Sequence, residues 1–229
     1  MLQEITTIIK GHYSIIIYLV TLIISLITYR KYFDTVLKYF PMLIAYTFLN
    51  ELLGYFIRYN ENFLLFTNLS LSSANDIIYN IFLIIFYSYF FFVYYRLVHK
   101  VSYRKIIKYL YFLVVLAFLV NSMFTNPLTY LLYAANAIGS YGLLIVIVLY
   151  KLDPKEYRPW LIEKLNLMSW ISLGLFIFHT FFPIILIIGF VNVDLWYLLH
   201  LRTVLRLLII LMYSLFSVGF MLSTRRAFR

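Results

Sequence analysis

The stretch FPMLIAYTFLNELLGYFI, Phe40 to Ile57, decides how this chain folds. It is apolar enough to cross a membrane as a helix, which takes about 20 residues, yet Asn50 and Glu51 interrupt it. An ionisable side chain at mid-membrane costs roughly 2.5–3.5 kcal/mol on insertion scales. Groups that carry such a cost face a protein interior, find a partner and mark function. Phe40–Ile57 therefore reads as a membrane-spanning helix, and Glu51 as the place to look for a site.

The rest of the chain has the same character. It is 64% hydrophobic and 12% charged, where soluble domains are roughly 45–50% apolar and about 25% charged. Mean hydropathy is +0.92. That much apolar surface exceeds what one soluble core of 229 residues can bury. Cysteine is absent, which excludes disulfides, thiolate metal sites and a cysteine nucleophile. The net charge of +10 would point to nucleic acid in a soluble protein. Here the basic residues sit in short loops between apolar runs, which makes them a topology signal and a contact for anionic lipid headgroups; no nucleic acid is expected.

Seven apolar runs can be read: Tyr13–Tyr29, Val36–Ile57, Ile77–Val98, Ile107–Phe124, Leu128–Tyr150, Leu165–Phe190 and Thr203–Leu222. They are rich in Ile, Phe and Tyr, which favour strands in soluble proteins. Barrel strands, however, alternate over about 10 residues, whereas these runs are continuously apolar. A helix also satisfies its own backbone in lipid. The expectation is an all-α membrane protein, a single bundle of seven transmembrane helices over residues 1–229 with no soluble domain. No cleavage pattern follows the first run, so it is read as a retained helix.

Orientation follows from the loops. Arg30, Lys31 and Lys38, then Arg96, Lys100, Arg104, Lys105 and Lys108, then Lys151, Lys155, Arg158 and Lys164, then Arg225, Arg226 and Arg229 fall on one side, 15 of the 19 Lys and Arg. Lys10, Arg58, Arg202 and Arg206 fall on the other. The positive-inside rule puts the N-terminus outside and the C-terminus in the cytoplasm, in a plasma or bacterial inner membrane. Tyr29, Tyr32, Tyr39, Tyr94, Tyr95, Tyr103 and Tyr109 fit an interfacial aromatic belt. The longest connection, Arg58–Asp76, lies on the outer side and would cap the bundle; its Asn68-Leu69-Ser70 matches a glycosylation sequon. The first three and last three helices run in the same directions, with Glu51 and His179 at matching depths, a pattern compatible with parallel three-helix repeats.

With orientation fixed, the polar residues of the runs share faces. Thr47, Glu51, Gly54 and Arg58 follow spacings of four, three and four, one side of a helix. Asp76 and Asn80 lie one turn apart, with Tyr87 and Ser88 deeper. Tyr133, Asn136 and Ser140 line another helix face; Ser169, Ser172, His179 and Thr180 lie on the sixth run, ahead of Pro183, a candidate kink. Arg202 and Arg206 open the seventh. The expectation is an outward-facing polar pocket. Glu51 pairs there with Arg206, or with Arg202, because pairing offsets the cost of two charges in hydrocarbon. Asn50, Asn80, Asn136 and His179 line the rest. The competing reading is structural: amides as interhelical hydrogen bonds, Arg202 snorkelling to headgroups, Asp76 as a helix cap.

Enzyme signatures are missing. There is no G-x-S-x-G or S-x-x-K nucleophile motif, no P-loop or dinucleotide fingerprint and no H-E-x-x-H run, so no catalytic residue, metal or cofactor is assigned. Seven helices with this orientation resemble the rhodopsin-type architecture. That resemblance implies a Schiff-base lysine in the last helix for a retinal pigment, and Thr203–Leu222 contains none. Three functions are compatible with the chain. The first is a receptor or sensor that binds a small molecule, ion or proton outside and signals through a cytoplasmic partner. The second is a small transporter or channel. The third is a lipid or isoprenoid enzyme using Glu51, Asp76 and His179 as acid–base groups.

Overall fold

The computed structural model describes residues 2–59, 76–153 and 166–224, with the side chains of 15–57 in the first segment. Among these residues the chain is all-helical, with no strand. The helices are α1 (Leu2–Ile27), α2 (Phe40–Tyr59), α3 (Asp76–Leu97), α4 (Val101–Phe124), α5 (Tyr133–Lys151), α6 (Leu167–Val191), α7 (Val193–Leu198) and α8 (Leu201–Leu222). Six of them, α2 to α6 and α8, are long and apolar enough to cross a membrane; the apolar part of α1, Ile15–Ile27, is shorter. The protein is an integral membrane helical bundle. The sequon, loop residues 60–75, the basic residues Lys155, Arg158 and Lys164, and the tail 225–229 lie outside the described residues.

The helices form a ring. α1 packs on α2, α2 on α3, α3 on α5, α5 on α6, α6 on α8, and α8 closes back on α1. α4 stands outside the ring against α3 and α5 and is the least buried span. Past its first two turns, where Lys105 and Lys108 are exposed, its outward residues are apolar, among them Tyr109, Phe112, Leu116 and Leu119, as a lipid-facing helix requires. The α6–α8 contact is close because small residues allow it. A Cβ on Gly219 of α8 would lie 2.7 Å from the Cβ of Trp170 on α6.

Several boundaries differ from the sequence reading; α1 begins at Leu2, not Tyr13, and α2 at Phe40, not Val36. α4 starts at Val101, not Ile107, because Lys and Arg are good helix formers and sit at headgroup depth without cost. α5 starts at Tyr133, not Leu128. Asn80 holds the residues before it as a loop: its Nδ2 donates to the carbonyls of Pro127 and Tyr130, each at 2.9 Å, and its Oδ1 accepts from Leu132 N at 3.1 Å. Ahead of α8 lies the short α7, capped by the Asn192 side chain accepting from Leu195 N at 2.9 Å. His200, in the left-handed conformation at φ 48°, breaks the chain between them.

Two ties bring the basic loops to one end of the bundle. Lys31 Nζ donates to the carbonyls of Phe220 and Met221, at 3.3 and 2.9 Å, and so satisfies the C-terminus of α8. Asp153, just past α5 and 2% exposed, accepts from the backbone N–H groups of His99 and Lys100. The half of the ring nearest these loops is packed solid. Tyr32, Phe40, Phe90, Val93, Tyr94, Val98, Leu143, Leu167, Ile171, Phe216 and Phe220 are all essentially inaccessible. The Tyr94 hydroxyl and Ser172 Oγ, 2.9 Å apart, tie α3 to α6 within that half.

Candidate functional site

The opposite half of the ring is hollow. A cavity of about 250 Å³ lies there. Glu51 and Thr47 enter it from α2, Asp76, Tyr79 and Leu83 from α3, and Asn136 from α5. His179 enters from α6, Tyr18 from α1 and Tyr213 from α8. Helical spacing explains the α2 contribution: Thr47 and Glu51 are one turn apart on one face. Phe82, Phe86, Phe178 and Phe182 complete an aromatic wall; Phe178 and Phe182 stack at 4.7 Å, and Phe86 lies 5.6 Å from the His179 ring.

Glu51 is half-buried. Its hydrogen-bond partner is the Tyr79 hydroxyl. Tyr18 and Tyr213 lie close enough to feel its charge and pack edge to face at 4.5 Å. The Tyr213 hydroxyl meets the Thr47 hydroxyl, which itself donates to the Leu43 carbonyl at 2.9 Å.

A second polar group forms the deep wall. His179 Nδ1 is 3.0 Å from Ser140 Oγ, Ser140 Oγ is 2.9 Å from the Tyr87 hydroxyl, and that hydroxyl donates to Asn136 Oδ1 at 2.5 Å. All four side chains are essentially inaccessible, at 0 or 1% exposure. Counting protons fixes the direction of the chain. Asn136 Oδ1 has no hydrogen, so Tyr87 donates to it. Ser140 then donates to Tyr87, and His179 Nδ1–H donates to Ser140. His179 Nε2 and Asn136 Nδ2 remain without a partner among the described residues. Such buried orphans are rare in native proteins. Gly139 makes this wall possible. A Cβ there would lie 2.6 Å from the Tyr87 ring. Pro183 stays within α6, and having no N–H it leaves the His179 carbonyl without its i+4 partner.

Of the six site residues read from the sequence, Glu51, Asn136 and His179 meet at this cavity. Asn80 is spent on the α4–α5 loop. Asn50 is buried but does not line the cavity. Arg206 is half-buried on α8 away from it, and no ion pair joins Glu51 to Arg206 or Arg202 among the described residues. The carboxylate takes a tyrosine hydroxyl in place of the expected guanidinium. Tyr18, Tyr79 and Tyr213 escaped the sequence reading because the chain has 23 tyrosines and most suit an interfacial belt. The one available signal was Tyr79, three residues after Asp76 and therefore on its face. No cluster of three or more metal-ligating side chains occurs among the described residues. No protein family, no curated protein and no solved structure matches this chain.

Proposed function

We propose that this protein is a receptor- or sensor-like membrane bundle that binds a small ligand in the cavity between Glu51 and His179. The observation that carries the reading is the division of the ring into a hollow half and a solid half. The hollow half carries Glu51, Asp76, Asn136 and His179 on its wall; the other is filled by buried aromatic and aliphatic side chains, with the Tyr89 hydroxyl buried beside them. Binding sites are concave and mostly apolar, with a few convergent polar groups, and this cavity has that composition. By the positive-inside rule the solid half and the basic loops face the cytoplasm and the cavity faces outward.

The network supplies a route for signalling. His179, Ser140, Tyr87 and Asn136 join α6, α5 and α3. The Tyr94–Ser172 contact joins α3 to α6 again, nearer the basic loops. A ligand that prefers one setting of α6 against α3 would shift the populations of both contacts. The loops around Lys100 and Lys151 would present that change to a cytoplasmic partner.

A second reading, a small transporter, is favoured by one observation. Because α4 stands outside the ring, α3 and α5 become neighbours running in the same direction, as α8 and α1 do. Rotating α1, α2 and α3 onto α5, α6 and α8 preserves both the contacts and the directions. Glu51, residue 12 of α2, then matches His179, residue 13 of α6. A site between two such halves suits alternating access.

The test is non-denaturing mass spectrometry of the full chain taken directly from native membranes, beside Leu83→Trp, which fills the cavity. The reading expects a small-molecule adduct on the unaltered protein that Leu83→Trp loses. An adduct retained by Leu83→Trp, or none on either, contradicts it. Flux of the identified molecule into proteoliposomes would move the assignment to the transporter.

A further inference from the structure

We propose that the cavity selects a small protonated amine carried on an aromatic or apolar body and bearing one hydrogen-bond acceptor. This inference rests on the ligand-pocket reading above and names the chemistry of its ligand.

Four features of the wall point the same way. The chain carries +10 net charge, yet both charged side chains on the cavity wall are acidic, Glu51 and Asp76, and no Lys or Arg lines it among the described residues. A carboxylate in a low-dielectric wall is poorly compensated by a hydroxyl alone. A ligand cation supplies the counter-charge that no described Lys or Arg brings to the wall. Next, the wall is rich in aromatic rings, Tyr18, Tyr79, Phe82, Phe86, Phe178, Phe182 and Tyr213. Rings attract cations through their quadrupoles, the basis of ammonium recognition by aromatic cages.

The proton count adds specificity. His179 donates through Nδ1, so in its neutral form Nε2 is an acceptor, 1% exposed and without a partner. An N–H of an amine satisfies it, which favours a protonated amine over a quaternary ammonium. Asn136 Nδ2 is the converse, an unpartnered donor, 0% exposed. It calls for an acceptor on the same ligand, such as a hydroxyl or carbonyl oxygen. Size sets the last limit. A dry cavity of about 150 Å³ suffices for benzene, so about 250 Å³ accommodates one ring with a short polar arm. An anion is excluded by Glu51 and Asp76.

Isothermal titration of the full chain in zwitterionic lipid nanodiscs tests this, with empty nanodiscs subtracted. Three probes share one aromatic body: 2-phenylethylammonium, 2-phenylethanol and phenylacetate. The proposal expects the ammonium to bind at least tenfold more tightly than the alcohol, and phenylacetate not to bind. Glu51→Gln is expected to weaken the ammonium at least tenfold and leave the alcohol within about twofold. The comparison of probes on the unaltered protein stands even if that variant fails to fold. Equal binding of the three, or preference for phenylacetate, overturns the amine assignment and leaves the pocket in place. Binding of none also overturns it. The pocket reading is then judged separately by whether the native-membrane adduct is present and lost in Leu83→Trp.

Discussion

Glu51 and Asn80 both read from the sequence as polar groups in apolar helices, and they do different work. Glu51 opens onto the cavity with Tyr79 as partner, while Asn80 uses both amide atoms on the backbone of the α4–α5 loop. The cost of each residue in lipid was legible, because it depends on residue type and depth alone. The partner was not. Sequence spacing fixes which residues of one helix share a face, but the rotation of that helix against its neighbours comes from packing over the whole bundle. Arg206 was a sound counter-charge by depth and charge, and the orientation of α8 keeps it off the cavity wall. Asn80→Leu is expected to lose about 1–3 kcal/mol, because the Leu132 N–H and two carbonyls lose their partner. It should leave ligand binding intact. Thermal unfolding in nanodiscs, read beside probe binding, checks both halves; a variant that binds poorly at unchanged stability would place Asn80 in the site after all.

At the scale of elements, the apolar runs identified the helices well, and the misplaced ends have local causes. The start of α5 is displaced by a side chain on α3, a contact 52 residues away for Leu132 and Asn80 that no window along the sequence reaches. The break before α8 rests on one left-handed residue, His200, a conformation that residue type signals only weakly. Glycine was another quiet signal: Gly139 looks unremarkable in an apolar run, yet Tyr87 occupies the space a side chain there would fill. Gly139→Ala is expected to destabilise the bundle by about 1–3 kcal/mol, the usual cost of overpacking. It should also pull Tyr87 off Asn136 and Ser140. Two measurements follow: the unfolding midpoint, and the affinity for 2-phenylethylammonium. A midpoint and affinity both equal to those of the unaltered protein would refute the role given to this contact. Tyr94→Phe, which removes one hydrogen bond in the solid half, is expected to cost only about 0.6 kcal/mol, the average for such bonds in membrane helices; a loss several times larger in the same unfolding assay would contradict that reading of the contact.

Taken whole, the ring has one hollow half and one half filled by buried side chains. The positions of the basic loops gave the sequence its expectation of an outer pocket; in the structure the cavity lies at the end of the bundle opposite Lys31 and Asp153. What spacing could not reveal was the ring itself, since the exclusion of α4 from it depends on contacts among distant helices. The chain has no cysteine, so single substitutions report without background. The direct measurement is the reaction of Thr47→Cys, Leu83→Cys and Val93→Cys with a small water-borne methanethiosulfonate in sealed, oriented membranes; only a thiolate in contact with water reacts. Thr47→Cys and Leu83→Cys, on the cavity wall, are predicted to label from the side opposite the basic loops, and Val93→Cys, fully buried in the solid half, from neither. Protection of Thr47→Cys and Leu83→Cys from both sides, or their labelling only from the side of the basic loops, would show that the hollow half does not open away from the basic loops.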